Sequence, residues 1–322
     1  MRMSRSRRAV LGNAGVWLAA AALPGAARAE EGSSATAGGA SSREPFRYCL
    51  NTSTIAGANL TIVEEVEIAA KVGYHAVEPW VRDIQAYVKK GGSLPDLAKR
   101  IKDLGLTVED AIGFEEWIVD DDARRAAGME GMKRDMELVA AIGSKRIAAP
   151  PIGANKATDA SLDLVKVAER YRELLELGDK MGVQPLVELW GPSKNLHKLG
   201  EVAFVALESH HLKASMLLDL YHLHKGGSDF TGLHQLNGAA LHVIHTNDYP
   251  DHPVSELTDA QRVYPGDGVA PLGEIFRTLR DIGFRGFLSL ELFNRDYWKQ
   301  SPLKVAQTGI DKMREAVHKS LS

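Results

Sequence analysis

The chain is short of cysteine, of membrane-length apolar sequence and of positive charge, and each shortage excludes something. Cys49 is the one cysteine in 322 residues, so no internal disulfide forms and the fold must rest on its core. A small buried residue is the role that suits it. The apolar stretch near the N-terminus, Val16 to Leu23, is too short to span a bilayer comfortably. Formal charge is −3, and five of the positive charges (Arg2, Arg5, Arg7, Arg8, Arg28) fall in the first 29 residues, which hold no acid. Taking those five from −3 leaves −8 on the remainder. A mildly acidic surface repels phosphate backbones, which argues against nucleic acid as a partner. A Gly-rich phosphate-binding turn after the first predicted strand is also missing, and this counts against a doubly wound nucleotide-binding sheet.

What the chain does have begins with a segment to be set aside. Ser6-Arg7-Arg8-Ala9-Val10-Leu11, the modestly apolar stretch after it and the small-residue site Ala27-Arg28-Ala29 resemble a twin-arginine export signal cleaved after Ala29. That resemblance implies the twin-arginine export machinery as a partner and a periplasmic location. Residues 30–45, rich in Gly, Ser and Ala, read as a disordered linker, and residues 46–322 as one catalytic domain.

From Phe46 onward short apolar runs alternate with amphipathic stretches. The runs predict strands at 47–52, 75–80, 107–112, 146–150, 184–189, 215–220, 241–246 and 286–291. Helices are predicted at 62–72, 94–104, 123–142, 161–181, 196–207, around Leu233, 272–282 and 303–321, several ending on a glycine: Gly73, Gly105, Gly143, Gly182 and Gly283. Eight strands and eight helices in about 280 residues match a (β/α)8 TIM barrel. The connection 248–271 lacks apolar periodicity and would hang over the C-terminal rim, as a lid or as an irregular surface loop.

Four of the strands end on a group that binds metals or moves protons: Glu188, Asp219, His245 and Glu291. Taken singly, each is as well explained as a helix cap or a hydrogen-bonded core residue. Neighbouring parallel strands would bring all four to one rim, where three carboxylates require positive charge between them. A divalent cation fits; oxygen donors with one nitrogen favour Mn2+, Mg2+ or Co2+, with Zn2+ possible, and Mn2+ is the expectation.

The segments Val187-Glu188-Leu189-Trp190, Leu218-Asp219-Leu220-Tyr221-His222, His245-Thr246-Asn247-Asp248, Tyr264-Pro265-Gly266-Asp267-Gly268 and Leu288-Ser289-Leu290-Glu291-Leu292 resemble the sugar phosphate isomerase/epimerase superfamily with the xylose isomerase-like TIM barrel. It includes hydroxypyruvate isomerase, ketose 3-epimerases, inosose dehydratase and endonuclease IV. The resemblance implies one divalent metal on Glu188, Asp219, His245 and Glu291. It implies isomerisation or epimerisation of a small carbohydrate through a metal-stabilised enediolate, with Glu188 and Glu291 moving the proton. His222 and Arg262 resemble groups that hold substrate oxygens; Glu78, Trp80 and Trp190 are further substrate-contact candidates. Elimination of a β-substituent from an oxidised sugar or inosose is the alternative. An endonuclease IV-like nuclease and a binding protein without turnover are weaker readings. Oligomers are common in the family, but no surface stripe here fixes an oligomeric state.

Overall fold

The computed structural model describes residues 45–322. The expected signal and all but the last residue of the expected linker lie outside the described residues. The strands are β1 (Arg47–Asn51), β2 (Ala76–Glu78), β3 (Thr107–Val108), β4 (Arg146–Ala149), β5 (Gln184–Glu188), β6 (Met216–Asp219), β7 (Val243–Thr246) and β8 (Phe287–Leu290). All are parallel, in the order β3-β2-β1-β8-β7-β6-β5-β4. Opposite edges of this order meet where the Ala148 amide donates to the Ala111 carbonyl at 2.9 Å. The sheet is the expected (β/α)8 barrel, and the doubly wound sheet is excluded because chain neighbours are also spatial neighbours throughout.

The two-residue period of each strand decides what enters the lumen. Outward positions such as Tyr48, Val77, Val187, Leu218, Ile244 and Leu288 join the large core under the helices. Inward positions lower in the barrel form small apolar clusters: Ala148, Leu186, Leu217 and Val243, which Trp80 and Ile112 join from the rim side, and separately Cys49, Ala76 and Phe287. Cys49 is fully buried, as expected. One pleat higher, the inward residues turn polar: Asn51, Glu78, Glu188, Asp219, His245, Ser289 and Glu291, all buried. The polar rim is thus the next inward step on strands whose lower step is apolar.

The helices are α1 (Ile62–Val72), α2 (Val81–Lys89), α3 (Leu94–Asp103), α4 (Asp122–Ala141), α5 (Leu164–Met181), α6 (Leu199–Glu208), α7 (Leu220–Lys225), α8 (Leu272–Asp281) and α9 (Pro302–Leu321). The five anticipated terminal glycines all take positive φ. Two helices were not anticipated. Nine-residue α2 follows β2 within three residues and buries only Val81 and Ile84, too little to reveal a helical period beside a strand. Six-residue α7 is started by Asp219. The expected strand 107–112 shrinks to two residues. Beyond the Glu109 amide's bond to the Val77 carbonyl, its continuation rejoins at the Trp80–Ile112 bridge, because Pro79 has no N–H for the ladder.

Candidate active site

Strand register puts Asp219 beside His245, and His245 beside Ser289, so the polar layer is assembled by the ladder itself. Asp219 does serve as a helix cap, since its Oδ1 accepts the His222 amide at 2.9 Å. Its other oxygen turns inward to meet Arg262 Nη1 at 2.8 Å, while Asn247 Nδ2 donates to both oxygens. His245 is wedged between two sets of carboxylates. Nε2 lies 3.0 Å from Glu78 Oε1; Nδ1 lies 3.3 Å from Glu291 Oε2, 3.6 Å from Asp219 Oδ2 and 4.0 Å from Glu188 Oε1.

Glu78 corrects an expectation. It touches no cavity, being fully buried with Oε1 on His245 and Oε2 accepting from Asn51 Nδ2 (2.9 Å) and Ser289 Oγ (2.6 Å). Its position is that of a carboxylate orienting an imidazole from behind: it holds the Nε2 proton and leaves Nδ1 to face the cluster. Asn51 extends this support, donating to Glu291 Oε1 at 3.1 Å and accepting from Trp80 Nε1 at 3.0 Å.

The connection after β7 is a built element. Asp248 accepts four backbone amides, those of Tyr249, Gly266, Gly268 and Ala270, at 2.8–3.0 Å. Gly268 is required, because a Cβ there would lie 2.2 Å from the Tyr249 carbonyl oxygen. Gly266 adopts φ +92°, a conformation side-chain-bearing residues resist. So folded, the segment delivers Arg262, 1% exposed, into the site. Its Nη1 donates to Asp219 Oδ2 and Glu291 Oε2 (2.7 Å), and its Nη2 to Asp259 Oδ1 (2.5 Å), with His222 Nε2 at 3.1 Å.

The electrostatics follow from burial and these neighbours. Burial pushes Glu188 up to about 8 against the pull of His245. Burial raises Glu291 as well, with His245 and Arg262 opposing. For Asp219 burial is outweighed, chiefly by Arg262, and the carboxyl falls well below its usual range. Burial disfavours the His245 imidazolium, but Glu291 and Glu78 overcome it and raise its pKa strongly. His222 is held neutral, lowered by burial to about 4.

Asp219, His245 and Glu291 each offer a ligand atom within 4.8 Å of the others, and Glu188 stands beside them. Four buried atoms here lack a hydrogen-bond partner, His245 Nδ1, Glu188 Oε2, His222 Nδ1 and Arg262 Nε, and the first two face the carboxylate cluster. An unpartnered ring nitrogen and carboxylate oxygen among clustered carboxylates fit a divalent cation, which would displace the proton those carboxylates favour on the imidazole.

Above this layer opens a cavity of about 440 Å3, within the small-molecule range. Of the sequence-predicted residues, Glu188, Glu291, His222, Arg262, Trp80 and Trp190 line it, whereas Asp219, His245 and Glu78 lie beneath. Phe114 and Phe293 complete an aromatic arc with the two tryptophans: ring centroids are 5.0 Å apart for Trp80–Phe114, 6.2 Å for Phe114–Trp190 and 6.0 Å for Trp80–Phe293. Sequence reasoning missed these rings, Asp259 and Asn51. Only Asn51 left a signal, as a polar residue ending an apolar strand.

The profile of the family described as xylose isomerase-like TIM barrel matches residues 66–316. The inosose isomerase of Bacillus velezensis is 26% identical over 286 residues, covering 85% of this chain and 98% of that protein. A 3-dehydroshikimate dehydratase of Pseudomonas aeruginosa is 24% identical over 80% of this chain but only 40% of its own length. Among solved structures, the crystal structure of IOLI protein with a binding zinc atom superposes with a TM-score of 0.79 at 24% identity, covering 86% of this chain and all of that one. With the barrel, the rim and a match over most of the described domain in place, the chain belongs to the xylose isomerase-like TIM barrel family.

Proposed function

We propose that the chain is an isomerase or epimerase of a small, unphosphorylated keto carbohydrate, dependent on a divalent cation. The observation that carries this reading is the pair of glutamates, Glu188 and Glu291, both opening into one cavity from either side of the His245–Asp219 cluster. Glu188, Asp219, His245 and Glu291 would hold the cation, Mn2+ in our reading; when bound, it polarises a carbonyl and acidifies the adjacent C–H.

Glu188 takes the proton. Its Oε2 is unengaged and it opens into the cavity, within reach of a bound substrate. Glu291, held at Oε1 by Asn51 and at Oε2 by Arg262, delivers a proton to the opposite face. His222 faces the cavity as a neutral ring whose Nδ1 is unpartnered, placed to hold a substrate hydroxyl. The aromatic arc offers an apolar wall to a ring face. Arg262 is engaged by Asp219, Glu291 and Asp259, which leaves it poorly placed to receive a phosphate.

A β-elimination is the second reading, favoured by the dehydratase likeness and by His222 as a neutral group able to assist a departing hydroxyl. Incubating the metal-loaded protein with a panel of keto sugars and inososes in D2O separates the two. Carbon-bound deuterium in an isomer supports isomerisation, and an unsaturated product supports elimination. Metal binding with neither exchange nor an unsaturated product from any keto substrate would sink both. We further propose that residues 1–29 direct export to the periplasm; replacing Arg7 and Arg8 by lysine should retain the protein in the cytoplasm.

A further inference from the structure

The opposite end of the barrel carries a second cavity, about 290 Å3, at the N-terminal mouth of the strands. Its wall holds three arginines, Arg47, Arg146 and Arg285, together with His242 and one acid, Glu109. Arg47 and Arg146 open β1 and β4, and His242 immediately precedes β7. The rim carboxylates Glu188 and Asp219 close β5 and β6, so the two cavities lie at opposite strand ends.

Each guanidinium is held in place by one or two neighbours and keeps donors to spare. Arg47 lies over the Phe287 ring, 3.9 Å from its centroid, and makes no side-chain hydrogen bond among the described residues. Arg146 Nη1 is paired with Glu109 Oε2 at 3.1 Å, while its Nε is buried without an acceptor. Arg285 Nη1 donates to the Arg280 and Phe284 carbonyls, which fixes the side chain without neutralising it. Burial and the adjoining Arg146 lower His242 to about 4, so the ring is a neutral one. Three cations against one carboxylate, on a chain whose remainder beyond residue 29 carries −8, is a concentration against the average. Fixed guanidinium groups with free N–H donors match tetrahedral oxyanions in both charge and geometry.

We propose that this mouth is a binding site for a phosphate-type oxyanion, free or as the phosphoryl group of a small metabolite, separate from the catalytic cavity. The site is independent of the reaction assigned to the rim.

The test is calorimetric titration of the full chain with inorganic phosphate and, in a parallel arm, glycerol 3-phosphate. Saturable binding that weakens with added salt is expected; tighter binding of the ester would identify a phosphorylated metabolite, equal binding the free ion. Arg47→Gln and Arg285→Gln, both at exposed side chains, should each weaken binding by about tenfold, the scale of a charge-assisted hydrogen bond. Arg146→Gln should weaken it further, and Arg146→Gln/Glu109→Gln covers the case in which an unpaired Glu109 disturbs folding. Glu188→Gln should leave phosphate binding unchanged. The proposal is overturned by absence of saturable binding at millimolar phosphate, by binding indifferent to Arg47→Gln and Arg285→Gln together, or by binding lost in Glu188→Gln.

Discussion

At one end of the barrel the strands finish on carboxylates; at the other they begin beside arginines. The C-terminal rim is acidic, fully buried and cross-braced: Glu78 alone has partners on β1, β7 and β8. The N-terminal mouth is basic and partly open, and its arginines are steadied only locally: Arg47 by one ring, Arg146 by Glu109 and Arg285 by two nearby carbonyls. The difference shows where orientation has been built in. Side chains that must present chosen atoms to a reacting centre are held from several strands at once, whereas those that offer only charge need only local support.

The largest break in that contrast should come from the rim. Glu188→Gln and Glu291→Gln should each lower turnover by about 10²–10⁴-fold, the usual worth of a general acid or base, as measured by deuterium exchange in D2O. The mouth variant Arg285→Gln should leave turnover within about twofold, as expected of a surface change far from the chemistry.

Next in size is the bracing behind the imidazole. Glu78→Gln keeps the volume but removes the charge facing Nε2, and should weaken divalent-metal affinity by about 10- to 100-fold in a chelator competition. Turnover at saturating metal should stay close to wild type, which would separate orientation from catalysis.

A pH comparison sharpens the contrast further. In the metal-free protein Glu188 has a folded-state pKa raised from 4.5 to about 8. A raised carboxyl contributes stability that is fully present below its unfolded value and lost as pH rises through the folded one. The melting temperature of the metal-free wild type should therefore fall between pH 6 and 9 by more than that of Glu188→Gln. Equal slopes would remove Glu188 as the source.

The smallest effect is expected at the aromatic wall. Trp80→Phe retains the ring but loses the Nε1 bond to Asn51, and should raise KM a few-fold with little change in stability, since one neutral hydrogen bond is worth about 1 kcal/mol. An unchanged KM would detach Trp80 from the support of Glu291.

Much of this molecule was legible in its residues because strands buried on both faces read as apolar runs, and those runs stop where the lumen turns polar. The ends at Glu188, Asp219, His245 and Glu291 were visible for that reason. Glu78 was visible too, but its direction was not: a carboxylate at a strand end reads the same whether it meets solvent or an imidazole. Asn51 and Ser289 are ordinary polar residues until strand pairing sets them against Glu78 and Glu291. The 248–271 connection left its purpose undecided, since nothing local in Asp248 says that it will gather four amides and turn Arg262 inward.

Periodicity and strand ends are local properties, so the chain by itself determined the number of β/α units, the barrel and the four groups at its rim. Which carboxylate faces the cavity, which one lies behind the histidine, which rings wall the pocket and which arginines meet at the far mouth depend on closure of the barrel. Closure brings together residues distant in sequence, such as Asn51 and Glu291, and only then do burial and opposite charge fix their roles.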